Sequence, residues 1–175
     1  MNRRALVIGA AGAAAVGAGI ATALLRYRGT PDTGPEPARV WSQDRFDTPD
    51  GGKLALTDFS GKPLLMNFWA TWCPPCVKEM PLLDRFAQEQ RANGWQVVGL
   101  AIDKVEAVRE FLVKHPVRYP IAIAGLDALE WLRSLGNLGG GLPFSVVLDS
   151  SGAPVHRKLG EVGPPDLAAW VASVR

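Results

Sequence analysis

Both cysteines of the 175-residue chain lie in one short segment, Cys73-Pro74-Pro75-Cys76, directly after the apolar run from Leu64 to Trp69. A disulfide that closes so small a loop removes little entropy from the unfolded chain, so stabilisation is a weak reason for the pair. A helix N-terminus favours a thiolate over a thiol through its unpaired backbone N–H groups and its dipole. The spacing therefore predicts a redox-active dithiol where a buried strand passes into a helix.

In this interpretation Cys73 is the exposed nucleophile that attacks a substrate disulfide. Cys76, one helical turn deeper, then attacks the mixed disulfide and releases the reduced substrate. Pro74 and Pro75 fit a first helical turn, where a missing N–H matters little, and they restrict the loop, so we expect them to tune the redox potential.

Two other uses of the cysteines are a structural disulfide and half of a metal site. A four-ligand zinc site needs further Cys or His side chains. The chain has only His115 and His156, and we interpret both as surface residues. We therefore predict no metal site.

The net charge of +2 comes from the N-terminus, where residues 1–28 hold four arginines and no acidic residue. With those four set aside, 15 of the 19 basic side chains remain against 17 acidic ones. No basic face is left to indicate a nucleic-acid partner.

Residues 1–28 are predicted to be a targeting or membrane-anchoring segment. The 21 residues from Ala5 to Leu25 carry no charge, enough to span a bilayer as a helix, but 13 of them are Ala or Gly. A retained anchor, a signal cleaved after Ala21-Thr22-Ala23, and a twin-arginine signal beginning at Arg3-Arg4 all stay open. Each of the three would export the domain, and arginine balance alone does not set the direction of insertion.

The rest of the chain divides into a linker and one domain. Residues 29–39 contain three prolines and two glycines among polar residues, which is typical of an extended linker. We place the domain at residues 40–175. Val40-Trp41 and Arg45 to Asp47 are predicted as short extended segments, and a turn at Asp50-Gly51-Gly52 followed by a strand over Lys53–Leu56 suggests an N-terminal β-hairpin.

Apolar periodicity then alternates strands and helices, which predicts an α/β fold with a mixed central sheet flanked by helices. The predicted strands are 64–69, 96–102, 119–124, 144–149 and 153–158. The predicted helices are 74–93, kinked at Pro81, then 104–114, 126–135 and a closing helix around Leu167, Trp170, Val171 and Val174.

The segment from Asn67 to Pro81 closely resembles the active-site stretch of TlpA/ResA/DsbE-type membrane-anchored thioredoxin-like proteins. The resemblance runs from about Phe46 to the C-terminus and includes residues 56–63 and 140–149. It implies a thioredoxin fold and a periplasmic or extracytoplasmic protein that reduces disulfides.

Further site residues follow from this resemblance. Glu79 matches the family's buried acidic residue, which could exchange a proton with Cys76; an exposed helix glutamate is the alternative. Pro143, after Leu142, matches the cis-proline loop that faces the cysteines and holds an extended substrate segment. Asn67 stands where thioredoxin has a buried aspartate, so that proton route is absent and Glu79 becomes the substitute.

The aromatic and glycine-rich segments near the site receive more ordinary interpretations. We expect Trp72 to lie partly exposed over Cys73, and Trp69 to pack in the core. The glycines from Gly139 to Gly141 lack the Lys-Ser/Thr and helix start of a phosphate loop, so we expect them to give the backbone freedom beside Pro143.

The sequence thus predicts a thiol:disulfide oxidoreductase that works chiefly as a reductant and needs no cofactor. The resemblance suggests a membrane electron donor of the DsbD/CcdA type and, as substrates, cytochrome c apoproteins, copper-delivery proteins or other oxidised periplasmic thiols. A dithiol oxidase or isomerase, a copper(I)-handling module and an adaptor without turnover are the alternatives.

Overall fold

The computed structural model of the protein describes residues 45–174. The predicted anchor or signal segment, the linker and the extended segment at Val40-Trp41 lie outside the described residues. Within residues 45–174, no helix combines the length and the apolar character needed to cross a membrane.

Seven strands and four α-helices make up this part of the chain. The strands are β1 (Phe46–Asp47), β2 (Lys53–Leu54), β3 (Leu64–Trp69), β4 (Gln96–Ala101), β5 (Ile121–Ile123), β6 (Phe144–Leu148) and β7 (Pro154–Leu159). The helices are α1 (Pro74–Glu89), α2 (Val105–Lys114), α3 (Leu129–Ser134) and α4 (Pro164–Ser173), with single 3₁₀ turns at Leu56–Phe59, Arg91–Asn93 and Leu126–Ala128.

All seven strands form one mixed sheet in the order β2-β1-β5-β4-β3-β6-β7. Strand β3 pairs parallel to β4 and antiparallel to β6, and β4 pairs parallel to β5. The predicted N-terminal hairpin is confirmed, since β1 and β2 pair antiparallel, and β1 also joins the main sheet by pairing with β5.

Strand β3 is buried along its whole length, as its continuous apolar sequence predicts for a strand covered on both faces. Its alternate residues enter different cores. Leu65 and Trp69 join a cluster with residues of α1, α2 and α4, whereas Leu64, Met66 and Phe68 join a cluster with α3 and the 3₁₀ turn at Leu56–Phe59. The fold is therefore a three-layer arrangement with β3 at its centre.

Helix α1 continues through Pro81 to Glu89, and its buried residues include Met80, Leu83 and Phe86, spaced to share one face. A 3₁₀ turn and Gly94, at φ +86°, then end the helical segment where the sequence predicts a stop. The kink at Pro81 stays a prediction.

Several predicted boundaries are wrong, each for a local reason. The strand expected over Lys53–Leu56 stops at Leu54, because Leu56 and Phe59 bury their side chains from one 3₁₀ turn. The strand expected over residues 119–124 is only Ile121–Ile123, and the helix expected over 126–135 is a 3₁₀ turn followed by α3.

Gly99 on β4 lies where neighbouring side chains leave no room for a Cβ atom, so it provides a test of core packing. A Cβ atom there would lie 2.5 Å from Ile121 Cδ1 and 3.1 Å from both Trp69 Nε1 and Tyr119 Cε2. We expect Gly99→Ala to lower the free energy of unfolding by about 1–3 kcal/mol, because overpacking forces core side chains from their rotamers. Denaturant unfolding measures this, with Gly139→Ala as control, since nothing lies within 4 Å of a Cβ there. Equal stability of both variants would contradict the prediction.

Candidate active site

The two cysteines form a disulfide at the N-terminus of α1. Cys73 is the N-cap residue with extended backbone, Pro74 and Pro75 are the first two helical residues, and Cys76 is the third. Because neither proline has an N–H group, the amide of Cys76 is the first that the helix can offer to a sulfur at Cys73. The arrangement is the strand-to-helix junction that the sequence predicts.

The expected exposure of Cys73 is wrong for this oxidised form of the protein. Cys73 is 4% exposed and Cys76 is fully buried. The bond to Cys76 holds the Cys73 sulfur against the helix, and both residues belong to the buried cluster that contains Trp69, Ala70 and Met80. Cys73 nevertheless keeps the only accessible surface of the pair.

Glu79 lies one helical turn after Cys76 and is 1% exposed, so it is not an exposed helix glutamate. Its carboxylate accepts two hydrogen bonds. Asn67 Nδ2 donates to Oε1 at 2.7 Å, and the backbone N–H of Val162 donates to Oε2 at 2.6 Å. A carboxyl group on the face of α1 is thereby tied to β3 and to the loop before α4.

Burial dominates the ionisation of Glu79 and raises its pKa from 4.5 to about 7. The hydrogen bonds from Val162 and Asn67 and the positive charge of Lys158 oppose this rise, whereas the negative charge of Glu161 adds to it. A carboxyl group that is partly ionised near neutral pH can both accept and return a proton.

Two residues that support Glu79 were not predicted from the sequence. Ser145 lies opposite Asn67 in the β3–β6 register, is fully buried, and accepts a hydrogen bond from Asn67 Nδ2 at 3.1 Å. Val162 contributes only its backbone N–H. The sequence offers one indication of Ser145, which is a hydroxyl residue inside an otherwise apolar strand. It offers none of Val162.

Leu142 and Pro143 precede β6, and the peptide bond between them is cis. Since Phe144 pairs with Phe68, these two residues lie beside the end of β3 that leads to Cys73. Leu142 packs against both buried clusters, one of which contains the cysteines, and the carbonyl of Pro143 accepts a hydrogen bond from Gly160. A substrate-holding role for Leu142 and Pro143 stays a prediction.

The tryptophan side chains of the described residues are buried, except for Trp72. Trp69 is fully buried, whereas Trp72 is 64% exposed and borders an open groove together with Pro74, Val77 and residues of α2. Whether Trp72 covers Cys73 stays a prediction. Trp95, Trp131 and Trp170 are buried, as expected for packing residues.

Neither histidine bonds a cysteine or Glu79, although His115 borders the same groove as Trp72. His115 is exposed and stacks on Phe111, whereas His156 is half-buried rather than on the surface and bonds Ser173. Among residues 45–174 there is no group of three or more His, Cys, Asp or Glu side chains that could hold a metal ion.

Comparison with known proteins agrees with this geometry. The sequence matches the Redoxin family over residues 36–170. The chain belongs to the Redoxin family. It is 31% identical over 126 residues to a thiol-disulfide oxidoreductase ResA of Bacillus cereus, an alignment that covers 71% of this chain and 70% of that protein.

Solved structures show the same fold. A thiol:disulfide interchange protein of the thioredoxin family from Chlorobium tepidum TLS is 27% identical, with a TM-score of 0.63 over 74% of this chain and 91% of that one. MTB dsbF is also 27% identical, with a TM-score of 0.65 over 79% of this chain and 98% of that one. The predicted thioredoxin fold is confirmed, and this Redoxin chain is a thiol-disulfide oxidoreductase of the ResA/DsbE type.

Buried Glu79 makes the stability of the Redoxin domain depend on pH. Its pKa is about 7 in the folded chain and 4.5 as the ordinary value. Below pH 4.5 both states are protonated and nothing is lost. As the pH rises to about 7, the unfolded chain loses its proton first, so the folded state is progressively disfavoured, by about 3 kcal/mol in total.

Glu79→Gln removes this titration. We expect the free energy of unfolding of the oxidised wild-type protein to fall relative to the Gln variant across that pH interval, as measured by denaturant unfolding at several pH values. Parallel stability curves for the two proteins would show that the Glu79 carboxyl has an ordinary pKa in the folded chain.

Proposed function

We propose that this protein is an extracytoplasmic reductant of protein disulfides, tethered to the membrane by its N-terminal segment. One observation carries the proposal: a cysteine pair at the start of α1 lies one helical turn before a buried carboxyl group that titrates near neutral pH. A cysteine pair able to carry electrons thus lies one helical turn from a carboxyl group able to accept a proton, which supports the proposal.

In the reduced protein, the Cys73 thiolate attacks one sulfur of a substrate disulfide. A mixed disulfide forms, and the first substrate sulfur leaves as a thiolate, which takes a proton from solvent. Cys76 then loses its proton and attacks the Cys73 sulfur, which closes the Cys73–Cys76 disulfide and releases the second substrate thiol. Two electrons pass to the substrate in each turnover, and both released substrate sulfurs take their protons from solvent.

Glu79 is the proposed acceptor of the Cys76 proton. Cys76 is fully buried, so bulk water does not reach its sulfur directly. Glu79 lies on the same face of α1 one turn further on, and burial holds its pKa at about 7. It can therefore take the proton when Cys76 becomes a nucleophile and return it when the disulfide is next reduced.

Export is supported by the N-terminal sequence rather than by the described residues. An uncharged stretch from Ala5 to Leu25 between arginines fits a retained anchor, although a cleaved signal would export the same domain. An oxidising compartment does not itself supply reducing equivalents, so we propose a membrane donor of the DsbD/CcdA type as the partner that restores the dithiol.

Cysteine pairs that must stay reduced for metal or haem attachment are the proposed substrates. Apocytochromes c and copper-delivery proteins present such thiols outside the cytoplasm, where they become oxidised. The family resemblance of residues 67–81 supports this choice, and the Bacillus relatives are named as thiol-disulfide oxidoreductases, which supports disulfide exchange as the reaction.

Substrate trapping tests the order of the two cysteines. We expect Cys76→Ser to accumulate covalent complexes in cells, because Cys73 still attacks but the resolving thiol is gone. Non-reducing electrophoresis and mass spectrometry would detect them and identify the partners. Cys73→Ser is the matched control, and accumulation by that variant instead would reverse the assigned roles.

The reduction potential of the Cys73–Cys76 pair tests the direction of transfer. We expect a value more negative than about −200 mV, in the range of thioredoxin and glutaredoxin rather than of strong oxidants. Equilibration with glutathione followed by alkylation measures it. A value near −120 mV, as for DsbA, would assign the protein to the dithiol oxidases instead.

A further inference from the structure

Within the described part of the chain, the side-chain amide of Asn67 is hydrogen-bonded through its nitrogen but not through its oxygen. Its Nδ2 donates to both Glu79 Oε1 and Ser145 Oγ, yet its Oδ1 atom is buried without a hydrogen-bond partner among the described residues. A buried polar atom is nearly always paired, so an unpaired carbonyl on the amide that binds Glu79 requires an explanation.

The two oxygens of Glu79 differ in what they can accommodate. Oε2 faces the backbone N–H of Val162, which donates and cannot become an acceptor. A hydroxyl oxygen accepts less well than a carbonyl oxygen, so a proton on Oε2 would weaken the bond from Val162. Protonation of Glu79 is therefore favoured on Oε1, the oxygen that faces Asn67.

We propose that Asn67 is a positioning residue that bonds the Glu79 carboxyl group in both of its protonation states. Nδ2 donates to the carboxylate, and after the amide turns over by 180°, Oδ1 accepts from the carboxylic acid. Each orientation leaves one polar atom of the amide at the position that has no partner among the described residues. The proton moves between Cys76 and Glu79 as in the proposed function, on which this inference rests. Asn67 itself gains and loses no proton.

Ser145 makes both orientations of the amide possible. A hydroxyl group can accept from Nδ2 or, after rotation about its C–O bond, donate to Oδ1. Ser145 directly faces Asn67 across β3 and β6, and both side chains are fully buried. An aspartate at position 67 would lose this reversibility when ionised, because it could only accept.

The other titratable groups around Glu79 do not take this role. Cys76 lies on α1 and is the proton donor in the reaction. Lys158 on β7 is paired with Asp166, Glu161 in the following loop is paired with Lys78, and burial raises the pKa of Tyr119, which keeps its phenol neutral.

Nuclear magnetic resonance of the full-length reduced protein tests the proposal. We expect the side-chain N–H signals of Asn67 to shift with pH at the same midpoint as the carboxyl carbon of Glu79. In Glu79→Gln they should keep their low-pH positions throughout, because the glutamine carbonyl takes the Val162 N–H and its amide nitrogen must face Asn67 Oδ1.

Asn137 is the internal control, since it too is buried, with an Oδ1 atom that has no partner within residues 45–174, but it donates to the carbonyl of Gly141. Its signals should not follow the Glu79 titration. Asn67 signals that stay constant while Glu79 titrates would overturn the proposal, and wild-type protein alone decides this.

Kinetics give a second readout. We expect Asn67→Leu to slow closure of the Cys73–Cys76 disulfide about tenfold near neutral pH and to move the midpoint of its pH profile upward. Asn67 bonds the carboxylate more strongly than the neutral acid, so its loss disfavours the charged form of Glu79 more. Ser145→Ala should move the midpoint less and Ser145→Thr should restore it, whereas Asn137→Leu should leave it unchanged. A folded Asn67→Leu variant with the wild-type profile would contradict the proposal.

The outcome for Glu79→Gln separates this inference from the proposed function. If that variant closes its disulfide with the wild-type pH profile, Glu79 is not the proton acceptor and both ideas fail. If Glu79→Gln alters the profile but the Asn67 signals ignore pH, only the inference about Asn67 is wrong.

Discussion

The burial of one carboxyl group organises the chemistry of this molecule. Removing Glu79 from water favours its neutral form, while the N–H groups of Asn67 and Val162 favour its charged form. Burial outweighs the two hydrogen bonds, and this net balance raises the pKa of Glu79 to about 7. Since the donors come from β3 and from the loop before α4, the balance exists only when the whole domain has folded.

Two central strands of the sheet carry a polar side chain at a buried position to provide this environment. Asn67 and Ser145 occupy positions between apolar neighbours on central strands, Asn67 between Leu65 and Trp69 on the same face of β3. Apolar residues there would pack without unpaired polar atoms, and an unsatisfied buried acceptor costs about 1–3 kcal/mol. Departures from the apolar pattern of a buried strand are expected where function rather than stability selects the residue.

How much the sequence predicts depends on whether the signal is local. The run from Leu64 to Trp69 and the adjoining cysteine pair identify the central strand and the start of α1, because both signals lie within a few residues. Four residues around Leu56 cannot distinguish a strand from a 3₁₀ turn. Leu54 and Leu56 alternate as in a strand, whereas Leu56 and Phe59 lie three apart as in a 3₁₀ turn. The contacts of Glu79 and Asn67 with Val162 and Ser145 join residues about 80 positions apart, and nothing local indicates them.

The slight exposure of the disulfide limits how any partner can react with it. Cys76 is fully buried and Cys73 is 4% exposed, so an attacking thiolate can reach only the Cys73 sulfur. It must also approach in line with the sulfur–sulfur bond. Access therefore restricts re-reduction to donors whose surface fits around this point. A disulfide with so little accessible surface thus exchanges at a rate that depends on how closely the attacking thiolate can approach the Cys73 sulfur.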